Sequence, residues 1–193
     1  MLFPQAPCSE VPQWHFRFHR DRGFTLLELI VSMLIVAILV TVGVPSYKNV
    51  NSSSRIAAEI NGLLGDVEFA RSQAIKEGQT VTICSSANGL ACAATPSWAA
   101  GWIVFMDFNG NKTVDVGESV LRSQKVIQGG DSLNADSNLS ALTFNREGFA
   151  LGVPGTATLT LHDPTGNSKL TRCLAVSIVG QLQTEQSGTG ACL

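Results

Sequence analysis

Glu28 is the first residue with distinctive chemistry, because it is the only ionisable residue in the apolar run from Phe24 to Val44. A helix of this length, rising about 1.5 Å per residue, just crosses the hydrocarbon core of a bilayer. A carboxylate inside such a segment is costly unless a partner compensates its charge. We therefore expect Glu28 to pair with a cation in the functional state. The alternative is an ordinary signal anchor that carries a chance glutamate.

A second group of oxygen-bearing side chains lies in one stretch further along the chain. Its members stand at the ligand spacings of an EF-hand calcium loop: Asp107, Asn109, Asn111, Asp115 and Glu118. However, Lys112 occupies the position where that loop needs glycine, and both flanks predict strands. The rival is a β-turn in which Asn and Gly supply the unusual backbone dihedrals. We favour the turn and keep calcium as the candidate ligand; no other cofactor is expected.

The sequence offers little for catalysis. His15 and His19 precede the apolar run, so His162 is the only histidine after it. The sequence lacks a G-x-S-x-G nucleophile elbow, and the only acid adjacent to His162 is Asp163, in a His-Asp-Pro sequence that predicts a turn. We therefore expect a protein that is not an enzyme.

Four cysteines follow the apolar run: Cys84, Cys92, Cys173 and Cys192. Arginines precede the run (Arg17, Arg20 and Arg22), so the positive-inside rule keeps that side cytoplasmic and exports the remainder. An even number of cysteines in an oxidising compartment predicts two disulfides. Three pairings exist, and we favour Cys84–Cys92 and Cys173–Cys192, because each closes a local loop after a strand. A zinc site is the rival, but the spacings are wrong and no histidine is near.

Helical spacing continues beyond the apolar run. Gly43 and Pro45 should bend or locally melt the helix, and 51–54 is a second weak point. From Arg55 onward, apolar residues recur on one helical face: Ile56, Ile60, Leu63, Leu64, Val67, Ala70, Ala74 and Ile75. Gly78 predicts the end of the helix. This stripe should pack on a sheet as core.

After Gly78 the apolar period changes to two. The predicted strands are Thr80–Cys84, Trp102–Phe108, Ser119–Ile127, Ser140–Asn145, Thr156–His162 and Leu170–Val179, separated by Asn, Gly, Asp and Pro clusters. Six or so short strands after one long helix indicate an α+β fold, with antiparallel β-sheet packed against the second half of the helix.

The N-terminal segment resembles the processing signal of type IV pilins and type II secretion pseudopilins. The residues that carry this resemblance are Gly-Phe-Thr-Leu-Leu-Glu-Leu at 23–29, the apolar helix, and Pro45 near its end. The resemblance implies that a prepilin peptidase and N-methyltransferase cleaves after Gly23 and methylates Phe24. It also implies that Glu28 pairs with the N-terminal ammonium of a neighbouring subunit.

Within this class the chain resembles the GspH/FimT branch of minor pilins and pseudopilins. That closer resemblance rests on Gly-Trp-Ile-Val-Phe-Met-Asp at 101–107, Phe-Asn-Arg-Glu-Gly at 144–148, and Cys-Leu-Ala-Val-Ser at 173–177 followed by Gly180. The implied architecture is pilin-like: residues 1–23 a cleaved leader, 24–45 a transmembrane and assembly helix, 46–78 its amphipathic continuation, and 79–193 an antiparallel β domain.

Some FimT-type relatives bind DNA through a Gly-Arg-x-Arg stretch, which is Gly-Gln-Leu-Gln at 180–183 here. Lys169 and Arg172 are the remaining candidate DNA contacts. Without the leader the chain holds ten Lys and Arg against thirteen Asp and Glu, a formal charge of −3. Phosphate binding depends on cations, so this balance disfavours DNA.

The sequence therefore predicts a minor pilin or pseudopilin that assembles with other pilin subunits, with an initiation or tip role. It should sit in the bacterial inner membrane as a single-pass protein, with its C-terminal domain in the periplasm, before entering a type IV pilus or type II secretion pseudopilus. A DNA-binding minor pilin for natural transformation is the alternative.

Overall fold

The computed structural model describes residues 23–192. Its longest element is helix α1, Leu26–Glu77. The chain divides into two compact units, one ending at Val44 and the other beginning at Pro45. The predicted interruption near Pro45 and at 51–54 is wrong, since the helical assignment runs through both places. A proline inside a helix removes one donor, and a long helix tolerates that loss.

In the first unit, the part of α1 before Pro45 exposes its large apolar side chains. Among the described residues α1 is the one helix long and apolar enough to cross a membrane, with a mean hydropathy of 2.7 in its most apolar window. An exposed apolar surface of this size is unfavourable in water. This part of the helix is therefore suited to a lipid or protein environment.

In the second unit, α1 buries one face. The predicted stripe supplies the fully buried side chains of the helix: Ile56, Ile60, Leu63, Val67, Ala70 and Ala74. Leu64 packs at the edge of the core, whereas Ile75 is 49% exposed. The helix ends where Gly78 adopts a φ of 66°, which a residue with a side chain rarely adopts.

Two antiparallel sheets complete the second unit. The first contains β1 (Val81–Ser85), β2 (Trp102–Met106), β3 (Val120–Gln124), β5 (Ala141–Phe144) and β6 (Ala150–Leu151), in the order β3-β2-β1-β5-β6. The second contains β4 (Ser132–Ala135), β7 (Thr156–His162), β8 (Arg172–Ser177) and β9 (Leu182–Gln186), in the order β4-β7-β8-β9. One core includes the α1 stripe and apolar residues of both sheets. The α+β prediction is confirmed.

Six strands lie where the sequence predicted them, with β7 matching residue for residue. Three further strands were missed: β4, β6 and β9. β6 has only two residues, β4 has one buried residue, and no residue of β9 is buried. Strands that bury so little lack the alternation by which strands are recognised in a sequence.

Candidate functional site

The N-terminal end of α1 is capped by a residue that the resemblance did not single out. Thr25 precedes the helix, and its Oγ1 accepts a hydrogen bond from the Glu28 backbone N–H at 3.2 Å. Thr-x-x-Glu is a capping-box sequence, and a carboxylate in the first turn favours the helix dipole. Within residues 23–192 the Glu28 carboxylate makes no hydrogen bond or ion pair. Glu28 therefore has a local role in the helix besides the role that the resemblance implies.

Asp107 anchors the candidate calcium loop from inside the domain. Its side chain is fully buried, and its Oδ2 accepts a hydrogen bond from the Thr82 hydroxyl at 2.6 Å. The backbone N–H groups of Asn111 and Lys112 donate to Oδ1 and Oδ2 at 3.0 and 3.1 Å. Both carboxylate oxygens are thus engaged by donors of this chain.

The other candidate calcium ligands are held by one another. The side-chain amides of Asn109 and Asn111 donate to Asp115 Oδ2 at 2.9 and 2.7 Å. Glu118 accepts from the backbone N–H groups of Phe108 and Asp115 at 2.8 and 2.9 Å. The described residues contain no group of three or more His, Cys, Asp or Glu side chains arranged to hold a metal. The geometry is that of a hydrogen-bonded turn, and calcium binding stays a prediction.

Both cysteine pairs are disulfide-bonded. Cys84 on β1 is bonded to Cys92 in the following loop, with Cα atoms 5.6 Å apart. Cys173 on β8 is bonded to Cys192 beyond β9, with Cα atoms 5.5 Å apart. The prediction of Cys173–Cys192 is confirmed, and the four sulfurs lie in two bonded pairs rather than around one metal. The second bond ties the C-terminal segment to a central strand.

His162 ends β7 and takes part in a structural contact. Its Nδ1 lies 3.0 Å from the Thr171 hydroxyl. Asp163 turns away to cap the following turn, where its oxygens accept from the backbone N–H groups of Thr165 and Asn167 and from the Thr165 hydroxyl. Burial raises the pKa of Asp163, but these hydrogen bonds outweigh it and hold that pKa below its ordinary value. No general base pairs with a nucleophile at this turn.

Lys169 and Arg172 do not meet the 180–183 stretch. Arg172 lies at the start of β8, opposite Gln186, and donates to the carbonyl oxygens of Lys169 and Thr171 at 3.0 and 2.8 Å. Gly180 and Gln181 form the turn at the far end of the same strand. At about 3.3 Å per residue the two places are separated by much of the strand's length. The candidate DNA contacts therefore do not form one basic patch with that turn.

One polar cluster was missed by reasoning from sequence. Arg55 on α1 donates to both oxygens of Asp131 at 2.7 Å, and the Asp131 side chain is fully buried. Glu59, one helical turn further, accepts from the Gln128 backbone N–H at 2.9 Å. Burial is the main cause that raises the pKa of Glu59 to about 7. The i, i+4 spacing of Arg55 and Glu59 was visible, but it is the spacing of an ordinary surface pair on a helix.

A second missed cluster joins α1 to the first sheet. Asp66 accepts from the Trp102 indole N–H and from Arg122, both at 2.9 Å. The Arg122 guanidinium also lies 3.7 Å from the centre of the Phe69 ring. A single helix side chain therefore holds β2 and β3 in position. Because these partners are far apart in sequence, no motif could reveal them.

Comparison with known families identifies two matching models. The type II transport protein GspH model matches residues 59–180, which is more than half of the chain. The prokaryotic N-terminal methylation motif matches residues 18–44. The second match includes the apolar run and Glu28. No curated protein sequence matches the chain.

Solved structures share the fold. The type IV minor pilin FimU of Pseudomonas aeruginosa aligns with a TM-score of 0.55 and 19% identity, covering 74% of this chain and 95% of that chain. The minor pseudopilin EpsH from the type 2 secretion system of Vibrio cholerae aligns with a TM-score of 0.50 and 11% identity, covering 70% and 99%. Together with the GspH model, these matches show that the chain belongs to the type II transport protein GspH family and is a minor pilin or pseudopilin.

Proposed function

We propose that this subunit is anchored in the bacterial inner membrane by residues 24–45 and carries its β domain in the periplasm. The support is an apolar helix of membrane-crossing length, preceded by arginines that favour the cytoplasmic side. The two disulfides fit an oxidising compartment. The family is structural, and we propose no catalytic role for this chain.

Processing precedes assembly in this proposal. A prepilin peptidase and N-methyltransferase removes residues 1–23 and methylates Phe24. The match of the methylation motif to residues 18–44 supports this step, because that range brackets Gly23 and Phe24. Cleavage creates a new N-terminal ammonium at the start of an apolar helix, where its charge requires a partner.

Glu28 supplies that partner in a neighbouring subunit. The observation that carries the proposal is that Glu28 is the only ionisable residue between Phe24 and Val44, in a segment whose large apolar side chains are exposed. Packing such helices against one another buries their apolar surfaces. The carboxylate and the ammonium would then meet where little water screens them.

The assembled object is a type IV pilus or a type II secretion pseudopilus, with this subunit initiating the filament or standing at its tip. Both assemblies use the same helix and the same processing signal, so the shared chemistry does not separate them. The identity of the neighbouring genes distinguishes the two, because each system is encoded with its own assembly components.

Mass spectrometry of the protein purified from a peptidase-competent host tests the processing step. The expected product begins at Phe24 and carries the added mass of one methyl group. An intact chain beginning at Met1, or a chain cleaved elsewhere, would contradict the proposal.

Substitution of Glu28 tests the assembly step. Glu28→Gln and Glu28→Ala should both leave membrane insertion intact, since they remove a charge from an apolar helix, and both should reduce incorporation into filaments. Thr25→Val is the matched control, because it removes the helix cap and leaves the carboxylate. Normal incorporation of Glu28→Gln, or an equal defect in Thr25→Val, would argue that Glu28 acts only within its own helix.

A further inference from the structure

The segment 125–131 is the connection between the two sheets. It leaves β3 at the edge of the first sheet and enters β4 at the edge of the second. Ile127 anchors its middle in the core, and the Ile127 backbone N–H donates to the Ala99 carbonyl at 3.0 Å. We refer to residues 125–131 as the crossover segment. Its second half is attached to α1 by side chains alone.

Three side-chain contacts attach the crossover segment to α1. Arg55 holds Asp131 through two hydrogen bonds of 2.7 Å. Glu59 Oε1 receives the Gln128 backbone N–H at 2.9 Å. Gly129 has a φ of 74° and lies directly against the Arg55 guanidinium, where a Cβ would collide with it. The segment is therefore fitted closely to these two helix side chains.

The remaining oxygen of Glu59 shows that the attachment is incomplete when both acids are ionised. Glu59 Oε2 is buried and has no hydrogen-bond donor among the described residues. The neighbouring carboxylate, Asp131, has a fully buried side chain. A buried acceptor without a donor is costly, and two carboxylates side by side repel each other. A proton on Glu59 Oε2 removes both costs, because the O–H can donate to Asp131.

We propose that Glu59 and Asp131 share one proton, and that this proton fastens the crossover segment to α1 and is lost as the surroundings become alkaline. The structure would then contain a pH-sensitive clasp between the helix and the connection of its two sheets. Loss of the proton leaves two carboxylates beside one guanidinium. The contact of Gln128 with Glu59 should then loosen.

The charged surroundings of Glu59 agree with this proposal. Burial is the largest cause of its raised pKa, and Asp131 adds to it, whereas the Gln128 N–H and Arg55 act in the opposite direction. Beyond Arg55 lies Asp163, on the turn after β7. Lys125 lines the groove beside Glu59. The groove connects the carboxyl group with solvent, so protons can exchange without unfolding of the domain.

The direction of the pH effect follows from this pKa. The folded state holds a proton that the unfolded chain releases near its ordinary pKa of 4.5. A carboxyl group with a raised pKa contributes stability that is fully present below that ordinary value. The contribution is lost as the pH rises through about 7. The clasp is thus closed in mildly acidic surroundings and open in alkaline ones.

Glu59→Gln tests the clasp, because its amide N–H₂ can donate to Asp131 permanently while its carbonyl oxygen still accepts from Gln128. The full chain in detergent should be unfolded thermally between pH 4.5 and 8. Wild type and Glu59→Gln should be equally stable at low pH, and the variant should melt about 4 °C higher at pH 8. Glu68→Gln, an exposed position on the same helix, should melt in parallel with wild type.

Two further measurements make the test decisive. Carbon-13 NMR of the wild-type glutamate carboxyl groups should give a Glu59 titration near pH 7, and Asp131→Asn should lower it. Amide exchange at Gln128 should be faster in wild type than in Glu59→Gln at pH 8 and equal at pH 5. A Glu59 midpoint near 4.5, or identical pH profiles of wild type and Glu59→Gln, would overturn the proposal, even if the variant itself folds poorly.

Discussion

Replacing Asp107 with alanine should destabilise the β domain more than any other single change in the 107–118 loop. The Asp107 side chain is fully buried and accepts from Thr82, Asn111 and Lys112. The Asn111 N–H keeps a second acceptor, Asn109 Oδ1 at 3.0 Å. Two hydrogen bonds to the charged acceptor are therefore lost without replacement, those from Thr82 and Lys112.

Hydrogen bonds to charged groups contribute about 1.5–3 kcal/mol each. The lower end applies here, because the Thr82 hydroxyl can turn to Thr143, 2.7 Å away, and because the variant no longer buries a charge. We expect a loss of roughly 3 kcal/mol, a large part of a total stability of about 5–15 kcal/mol. With a typical urea dependence the unfolding midpoint should fall by about 1–2 M.

Urea unfolding followed by tryptophan fluorescence measures this loss. Trp98 and Trp102 are both buried, and in the mature chain they are the only tryptophans, since Trp14 lies before the cleavage site. Asp115→Ala is the matched control, because Asp115 is an exposed carboxylate of the same loop and should cost less than about 1 kcal/mol. Equal midpoints for the two variants would refute the reasoning that burial makes Asp107 the anchor.

Three further predictions concern ligands and disulfides. Calcium at about 1 mM should leave the melting temperature unchanged, because the loop carboxylates already accept hydrogen bonds from N–H groups; a calcium-dependent rise would establish a metal site. Non-reducing peptide mapping should find Cys84–Cys92 and Cys173–Cys192, and removing the second pair should cost about 3 kcal/mol against about 2.5 kcal/mol for the first, since the closed loops span 19 and 8 residues; free thiols or another pairing would contradict this. The mature chain should bind duplex DNA no better than roughly 10⁻⁴ M at physiological salt; salt-sensitive micromolar binding would favour DNA uptake, and binding only by a variant with Gln181→Arg and Gln183→Arg would attribute the weakness to those two positions.

The parts of the fold that sequence could predict are those with a dense local pattern. The α1 stripe from Ile56 to Ala74 repeats at helical spacing, and it is this stripe that the core buries. The five residues of β1 and the five of β2 are all buried, so each appears as an apolar run. Burial on this scale leaves a signal in every residue of the element.

The candidate sites were less predictable, because side-chain orientation decides them. The spacing from Asp107 to Glu118 fits a calcium loop, yet hydrogen bonds direct the oxygens of these residues toward N–H groups of the same loop. The clasp is harder still, since Arg55 and Asp131 are 76 positions apart. A pair at that separation is created by the topology of the two sheets and has no local pattern.

The use of arginine in this domain connects its fold with its proposed role. All five arginines of the described residues form hydrogen bonds within the chain: Arg55 with Asp131, Arg71 with the Gly148 carbonyl, Arg122 with Asp66, Arg146 with Glu147, and Arg172 with two carbonyls. Three of these bonds join α1 to the sheets or to their connections. A protein that reads phosphates needs its arginines free on one face. Here they fasten the β domain to the helix, which is the part of the chain proposed to enter the filament, so that a force on the helix is transmitted to both sheets.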